Sequence, residues 1–197
     1  MKKKAQLTNV IIIITLALSA AAARGGVNAA TWSPTGSMSI GRFSFTATTL
    51  QNGKVLVAGG ATDTEIATAT AELYDPATGT WTVTGNMNQG RQQHSAVLLR
   101  NGNVLVGGGN IGRTPCADVC VTTIAGSETY DPSTGEWTTV GEMTIPRSFY
   151  TTTLLPNGRV LAVGGRVHTG PDYFDYKAIA FADLYAQPPE SGSRRAR

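Results

Sequence analysis

One eleven-residue phrase occurs three times in this chain: LQNGKVLVAGG over 50–60, LRNGNVLVGGG over 99–109 and LPNGRVLAVGG over 155–165. Repetition restricts the fold more than any local feature does. Each copy must adopt the same structure and bury its apolar face against its neighbours. The phrase sits inside a longer unit. Trp32, Trp81 and Trp137 align without gaps, as do Met38, Met87 and Met143, and Arg42, Arg91 and Arg147. Downstream, AELYDPATGTW and SETYDPSTGEW close the first two copies, and a shorter ADLYAQPPE follows the third. The tryptophans are 49 and then 56 residues apart, and the excess falls between Gly109 and Tyr130, which reads as a loop insertion on a fixed unit.

Within a unit the apolar period is two. SAVLL, KVLVAGG and NVLVGGG are short β-branched runs bounded by Gly and Asn, the vocabulary of strands. Asn52-Gly53, Asn101-Gly102 and Asn157-Gly158 each separate two runs and predict two-residue type I′ hairpins, in which both turn residues take positive φ. Third strands begin over Thr70–Tyr74 and Ser127–Tyr130. The turns Asp75–Gly79 and Asp131–Gly135 then lead into a fourth strand at the Trp. Each unit is a four-stranded antiparallel meander, and no stretch reads as a long helix. Such sheets bury both faces by stacking radially, as in a β-propeller. The pairs Gly59-Gly60, Gly108-Gly109 and Gly164-Gly165 then mark places where backbone passes too close for a Cβ. Tyr74, Trp81, Tyr130 and Trp137 are expected to fill the space between sheets.

A Gly-Gly closing the second strand, a Tyr-Asp-Pro turn, a Trp, then Met and Arg before the next strand together resemble the kelch repeat, and the bacterial form is similar to the central propeller of galactose oxidase. The resemblance covers Trp32 to about Tyr185. It implies an all-β propeller of about three four-stranded blades, with units at about 41–88, 90–143 and 146–186, and with 31–38 as the last strand of a preceding blade. Kelch propellers generally close with six or seven blades. An incomplete ring is therefore expected, read either as a fragment or as half of a ring closed by a second chain. An open arc leaves unpaired edges, which makes self-association through them possible.

The start of the chain has a different character. Lys2, Lys3 and Lys4 precede an apolar run, Val10–Ala23, too short to span a bilayer and followed by small residues, so residues 1–29 read as a signal peptide, with cleavage after Ala29 favoured over cleavage after Ala23. The mature chain is then secreted or periplasmic, with no membrane association. Residues 187–197 read as a disordered tail. Between Thr31 and Glu190 stand nine basic and thirteen acidic residues, a net of −4. The basic balance of the whole chain therefore gives no support to nucleic-acid binding, which needs a clustered basic face. Cys116 and Cys120, the only cysteines, read as a disulfide in an exported protein, and no metal is expected on them because zinc wants about four ligands.

For chemistry, the chain offers two histidines, His94 and His168, and a Tyr-rich stretch, PDYFDYKAIAFADLY. Galactose oxidase-like copper chemistry, which needs two His, two Tyr and a Cys bonded to one of them, is the alternative reading. Ser95 and Ser148 lie in no nucleophile-elbow motif. The main reading is a binding module for a protein or carbohydrate ligand, with no catalytic site and no cofactor. In kelch propellers one mouth is lined by residues opening the first strand and by loops leaving the Gly-Gly. The resemblance thus places Arg42, Arg91, Arg147 and His94 there, with Asn110 and Arg166 after the glycines. Three equivalent arginines would suit carboxylates or acidic glycans. They would equally well bond strand-end carbonyls or an acid of a neighbouring blade. The segment Asn110–Gly126, which alone breaks the repeat, is the expected specificity element.

Overall fold

A computed structural model describes residues 30–114, 120–170 and 175–187 of the chain. The leader 1–29, Cys116 with its expected disulfide to Cys120, and all of the 187–197 tail except Gln187 lie outside the described residues. Two compact units divide the chain at Ser33/Pro34. Every strand belongs to the second, and the described part of the first, residues 30–33, has no regular structure.

The strands are β1 (Thr46–Thr49), β2 (Val55–Ala58), β3 (Ala71–Asp75), β4 (Thr80–Val83), β5 (Ser95–Leu98), β6 (Val104–Gly107), β7 (Asn110–Thr114), β8 (Cys120–Thr123), β9 (Gly126–Asp131), β10 (Glu136–Glu142), β11 (Thr151–Leu154), β12 (Val160–Val163), β13 (Arg166–His168), β14 (Tyr176–Ala178) and β15 (Ala182–Tyr185). They form three antiparallel blades: β1-β2-β3-β4, β5-β6-β9-β10 and β11-β12-β15. The registers repeat. Val55 faces Tyr74, Val104 faces Tyr130, and Val160 faces Tyr185. β1 lies beside β5 and β5 beside β11, so the first strands line one side in sequence order, as blades around a hub do.

The core lies between blades rather than within one, because a sheet with two apolar faces needs a neighbour on each. Leu56, Ala58 and Ala71 of blade 1 pack with Val104, Val106 and Tyr130 of blade 2. Leu99 and Leu105 of blade 2 pack with Val160 of blade 3. This is the all-β, kelch-type architecture with an incomplete set of blades.

Four expectations need correction. First, residues 31–38 form no strand. Trp32 is fully exposed, and the following segment docks instead on blade 1, with Gly36 N–H donating to the Gly79 carbonyl at 3.1 Å. Second, the Asn-Gly loops are not type I′. Only the glycines have positive φ, and Gly53 N–H bonds the Leu50 carbonyl while Leu50 N–H bonds the Lys54 carbonyl. That is a four-residue turn followed by a left-handed glycine, a bulged hairpin that places a single residue at positive φ. Asn52 serves through its side chain, whose Oδ1 accepts from Lys54 N–H at 3.1 Å.

Third, the tryptophans are only half-buried. They sit on outer strands and clasp a linker: Trp81 Nε1 donates to the Gly36 carbonyl and Trp137 Nε1 to the Gly85 carbonyl, each at 2.8 Å. Tyr130 is the fully buried filler. Fourth, the insertion after Gly109 is a two-stranded hairpin, β7–β8, and blade 3 raises a second one, β13–β14, from the Tyr-rich stretch.

Candidate functional site

The arginine that opens each unit is the joint between blades. Arg91 belongs by its backbone to blade 1: its carbonyl accepts from Gly60 N–H at 2.9 Å and its N–H donates to the Thr68 carbonyl at 3.3 Å. Its side chain belongs to blade 2, where Nη1 donates to the Gly108 and Gly126 carbonyls at 3.0 and 2.7 Å and Nη2 meets Glu128 Oε1 at 2.7 Å. Arg42 repeats the side-chain half in blade 1, on the carbonyls of Gly59 and Thr70 and on Glu72 at 2.8 Å. Arg147 repeats both halves one blade on, with its side chain on Gly164, Phe181 and Asp183.

These guanidinium groups are sealed from water. The expected cationic rim of Arg42, Arg91 and Arg147 is therefore corrected to an internal pin. Each acid comes from the blade that the guanidinium enters rather than from a neighbour. A buried guanidinium must satisfy its donors locally, and a planar fork facing two carbonyls and a carboxylate does so.

The same carboxylates hold the linkers. Glu72 accepts from Ser39 N–H at 2.8 Å and Glu128 from Asn88 N–H at 2.7 Å, while Asp183 accepts from the Thr144 hydroxyl. Burial pushes the Glu72 carboxyl up, but the Ser39 bonds and Arg42 outweigh it and hold it below the usual carboxylate range.

His94 is also interior. It lies 7% exposed at the joint of blades 1 and 2, with Nε2 2.9 Å from Thr46 Oγ1. Burial, helped by the Arg91 charge, pushes its pKa down to about 3, so the ring is neutral at physiological pH. Its role matches that of Tyr150 one blade later, where the phenol donates to the Gly107 carbonyl at 2.6 Å. Both rings fill the space left by a glycine: a Cβ on Gly59 would stand 2.8 Å from His94 Cε1, and one on Gly108 would stand 3.0 Å from Tyr150 Cε1.

What remains at the surface is an arc two residues beyond each arginine. Ser44, Gln93 and Phe149 take φ of 55°, 55° and 53°, the left-handed region that non-glycine residues avoid. Backbone bonds impose it. Gln93 N–H donates to the Ser44 carbonyl at 2.9 Å, and Phe149 N–H to the Gln93 carbonyl at 3.0 Å, so the three residues form one line across the three blades. Phe149 and Phe43 are about half exposed.

Asn110 is buried and donates through Nδ2 to Gln93 Oε1 at 2.6 Å, so it orients Gln93 rather than meeting a ligand directly. Arg166 opens β13 and lies between the rings of Phe149 and Tyr176, its guanidinium carbon 3.8 and 3.9 Å from the two centroids. Its Nε has no hydrogen-bond partner among the described residues.

Of the six expected site residues, the structure thus brings only Arg166 to the arc, with its guanidinium held between the Phe149 and Tyr176 rings. Asn110 supports the arc from beneath, and Arg42, Arg91, His94 and Arg147 are framework. Sequence reasoning missed Ser44, Phe149 and Tyr176. The available signal was the three residues after each arginine, Phe43–Phe45, Gln92–His94 and Ser148–Tyr150, where the repeat varies. For the copper alternative, the described residues contain no group of three or more His, Cys, Asp or Glu able to hold a metal ion.

Residues 42–88 match the family model described as Kelch motif, a span that starts on the first pinning arginine and covers blade 1 with its exit linker. That match and the three antiparallel blades make this a kelch-repeat propeller segment. No curated protein matches the chain.

Proposed function

We propose that this kelch-type segment is an exported binding module whose ligand lies across the arc of Ser44, Gln93 and Phe149 and against the hairpins β7–β8 and β13–β14. The observation that carries this reading is the line of left-handed residues. Three costly backbone conformations are held in register by the blades, and each presents a different side chain at the surface. The arginines and glycines that build the joints repeat their residue, and these three positions do not. The exposed aromatics Phe43 and Phe149, the latter with Arg166 stacked on its ring, are the residue types that anchor protein interfaces. A protein or peptide ligand fits this surface best, and a carbohydrate is the second class.

Selection of a displayed peptide library on the chain, with a glycan array in parallel, tests the reading. Ligands are expected to bind the parent chain and to lose about tenfold or more affinity to Phe149→Asp, while the melting temperature is kept. Ligands that bind parent and variant alike would move the site elsewhere. Amino-terminal sequencing of chain recovered from the exported fraction, expected to start at Ala30, tests export.

A further inference from the structure

At the end of blades 1 and 2 away from the arc, the Asn-Gly hairpin and the Asp-Pro turn lie side by side. The registers fix this arrangement. Val55 faces Tyr74 and Val104 faces Tyr130, so Lys54 stands next to Asp75 and Asn103 next to Asp131. In blade 1 the neighbours form an ion pair. Lys54 Nζ lies 3.3 Å from Asp75 Oδ2, while Asp75 Oδ1 accepts from Ala77 N–H at 2.9 Å.

Blade 2 keeps the anion and drops the cation. Asp131 Oδ1 accepts from the Ser133 N–H and hydroxyl at 2.8 and 2.7 Å, the local bonding by which an Asp fixes its own turn. These bonds hold the carboxyl below the usual carboxylate range, so it is ionised at neutral pH. Asn103 is shorter than Lys54 and uncharged. No ion pair reaches Asp131 among the described residues.

A second cation is exchanged for an amide at the same place. Arg100 crosses the seam between blades 2 and 3, where it lies over Gly158 and Nη2 donates to the Pro156 carbonyl. Its counterpart at the seam of blades 1 and 2 is Gln51, which lies over Gly102 and donates to the Arg100 carbonyl at 3.3 Å. A cleft of about 380 Å³ opens between the two hairpins and the Asp-Pro turn of blade 2. That volume falls within the range of small-ligand sites, about 300–1,000 Å³. Gln51, Asn52, Asn101 and Asn103 give the cleft neutral polar walls, and Pro132 gives it an apolar one. Asp131 is the one ionisable residue lining it among the described residues.

We propose that this cleft binds a basic side chain, Lys or Arg, of a protein or peptide partner, with the positive charge on Asp131 Oδ2. The methylene stem lies along Pro132, and the Gln51 and Asn103 amide oxygens accept the remaining N–H groups. The chain supplies its own precedent, because the same carboxylate position in blade 1 holds the Lys54 ammonium. One carboxylate among neutral amides suits a single positive charge. Calcium takes about six to eight oxygens and draws them from several carboxylates. The cleft lies at the opposite end of the first strands from Ser44, Gln93 and Phe149, so it is independent of the surface proposed above.

Titration of the full chain at low salt with acetyl-Gly-Lys-Gly-amide and acetyl-Gly-Arg-Gly-amide tests this, read from the side-chain amide NMR signals of Gln51, Asn101 and Asn103. The same peptide with norleucine at its centre is the neutral control. Saturable shifts are expected with the basic peptides and none with the neutral one. Asp131→Asn keeps an Oδ1 for Ser133 and is expected to weaken binding about threefold or more, the scale of a partly exposed ion pair. Asn103→Lys, which writes the blade 1 pair into blade 2, is expected to weaken it likewise by engaging Asp131 from within. No shift with either basic peptide, equal shifts with the norleucine peptide, or binding unchanged by Asp131→Asn would each overturn the proposal. Shifts produced by calcium chloride and not by the basic peptides would overturn it in favour of a metal ion.

Discussion

Arg91 Nη2 stands 2.7 Å from Glu128 Oε1 with both side chains sealed from water, while the Arg91 carbonyl accepts the Gly60 N–H of the preceding blade. One residue thus carries the joint between two sheets. Removing one member of a buried ion pair leaves the other charged and unpaired, at a cost of about 3–5 kcal/mol. Arg91→Met is expected to destabilise by about that amount in denaturant melts. The double variant Arg91→Met, Glu128→Leu is expected to regain part of it, because no bare charge remains. Equal losses in the single and double variants would show that the carbonyl bonds outweigh the ion pair.

The glycine pairs give a graded comparison. Gly108→Ala and Gly164→Ala face the same left-handed backbone, which costs a residue with a Cβ about 1–2 kcal/mol. Only the first also drives a methyl onto the Arg147 carbonyl, so Gly108→Ala is expected to lose at least about 1 kcal/mol more than Gly164→Ala in parallel melts.

His94 sets a pH dependence. Its folded pKa lies near 3 and its ordinary value near 6.5, so between these values the unfolded chain binds a proton that the folded chain does not. Stability is fully present above about pH 6.5 and is lost as pH falls, by up to about 1.4 kcal/mol per pH unit. The depressed carboxylates Glu72, Asp75 and Asp131 act in the same direction but only below their ordinary values of 4.5, 3.8 and 3.8. The window from about 6.5 down to 4.5 therefore isolates the histidine. His94→Gln is expected to flatten the stability curve there, which urea titrations at stepped pH would measure.

Trp137 combines partial burial with one hydrogen bond. Trp137→Phe keeps most of the ring contact with Tyr130 and loses the bond to Gly85, a cost of about 1 kcal/mol. Trp137→Ala is expected to cost about 2–4 kcal/mol, toward the lower end for large-to-small changes, because the ring is half in water. Thermal melts of the two variants check both values.

Much of the fold was legible because repetition tests itself. The Asn-Gly and Gly-Gly pairs recur in all three copies and the Asp-Pro turn in two, at positions where backbone geometry demands them, so the copies confirmed one another. The site was less legible, since side-chain burial depends on partners far away in sequence. An arginine near a strand start reads alike as a rim cation or an internal pin, and only its partners decide. Those partners were written in the repeat as the acids of AELY, SETY and ADLY, where Glu72, Glu128 and Asp183 hold one position. The left-handed conformation of Ser44, Gln93 and Phe149 was not legible in their residue types, because backbone bonds between the blades impose it.

The divided allegiance of Arg91 and Arg147 also bears on how the chain matures during synthesis. Gly60 cannot complete its hydrogen bond until Arg91 has emerged, and Arg91 cannot be neutralised until Glu128, 37 residues later, has arrived. Each sheet is finished by the one synthesised after it. Order therefore spreads from the amino-terminal end in overlapping steps, and a ribosome stalled inside the second sheet would strand the first with its last bonds unmade.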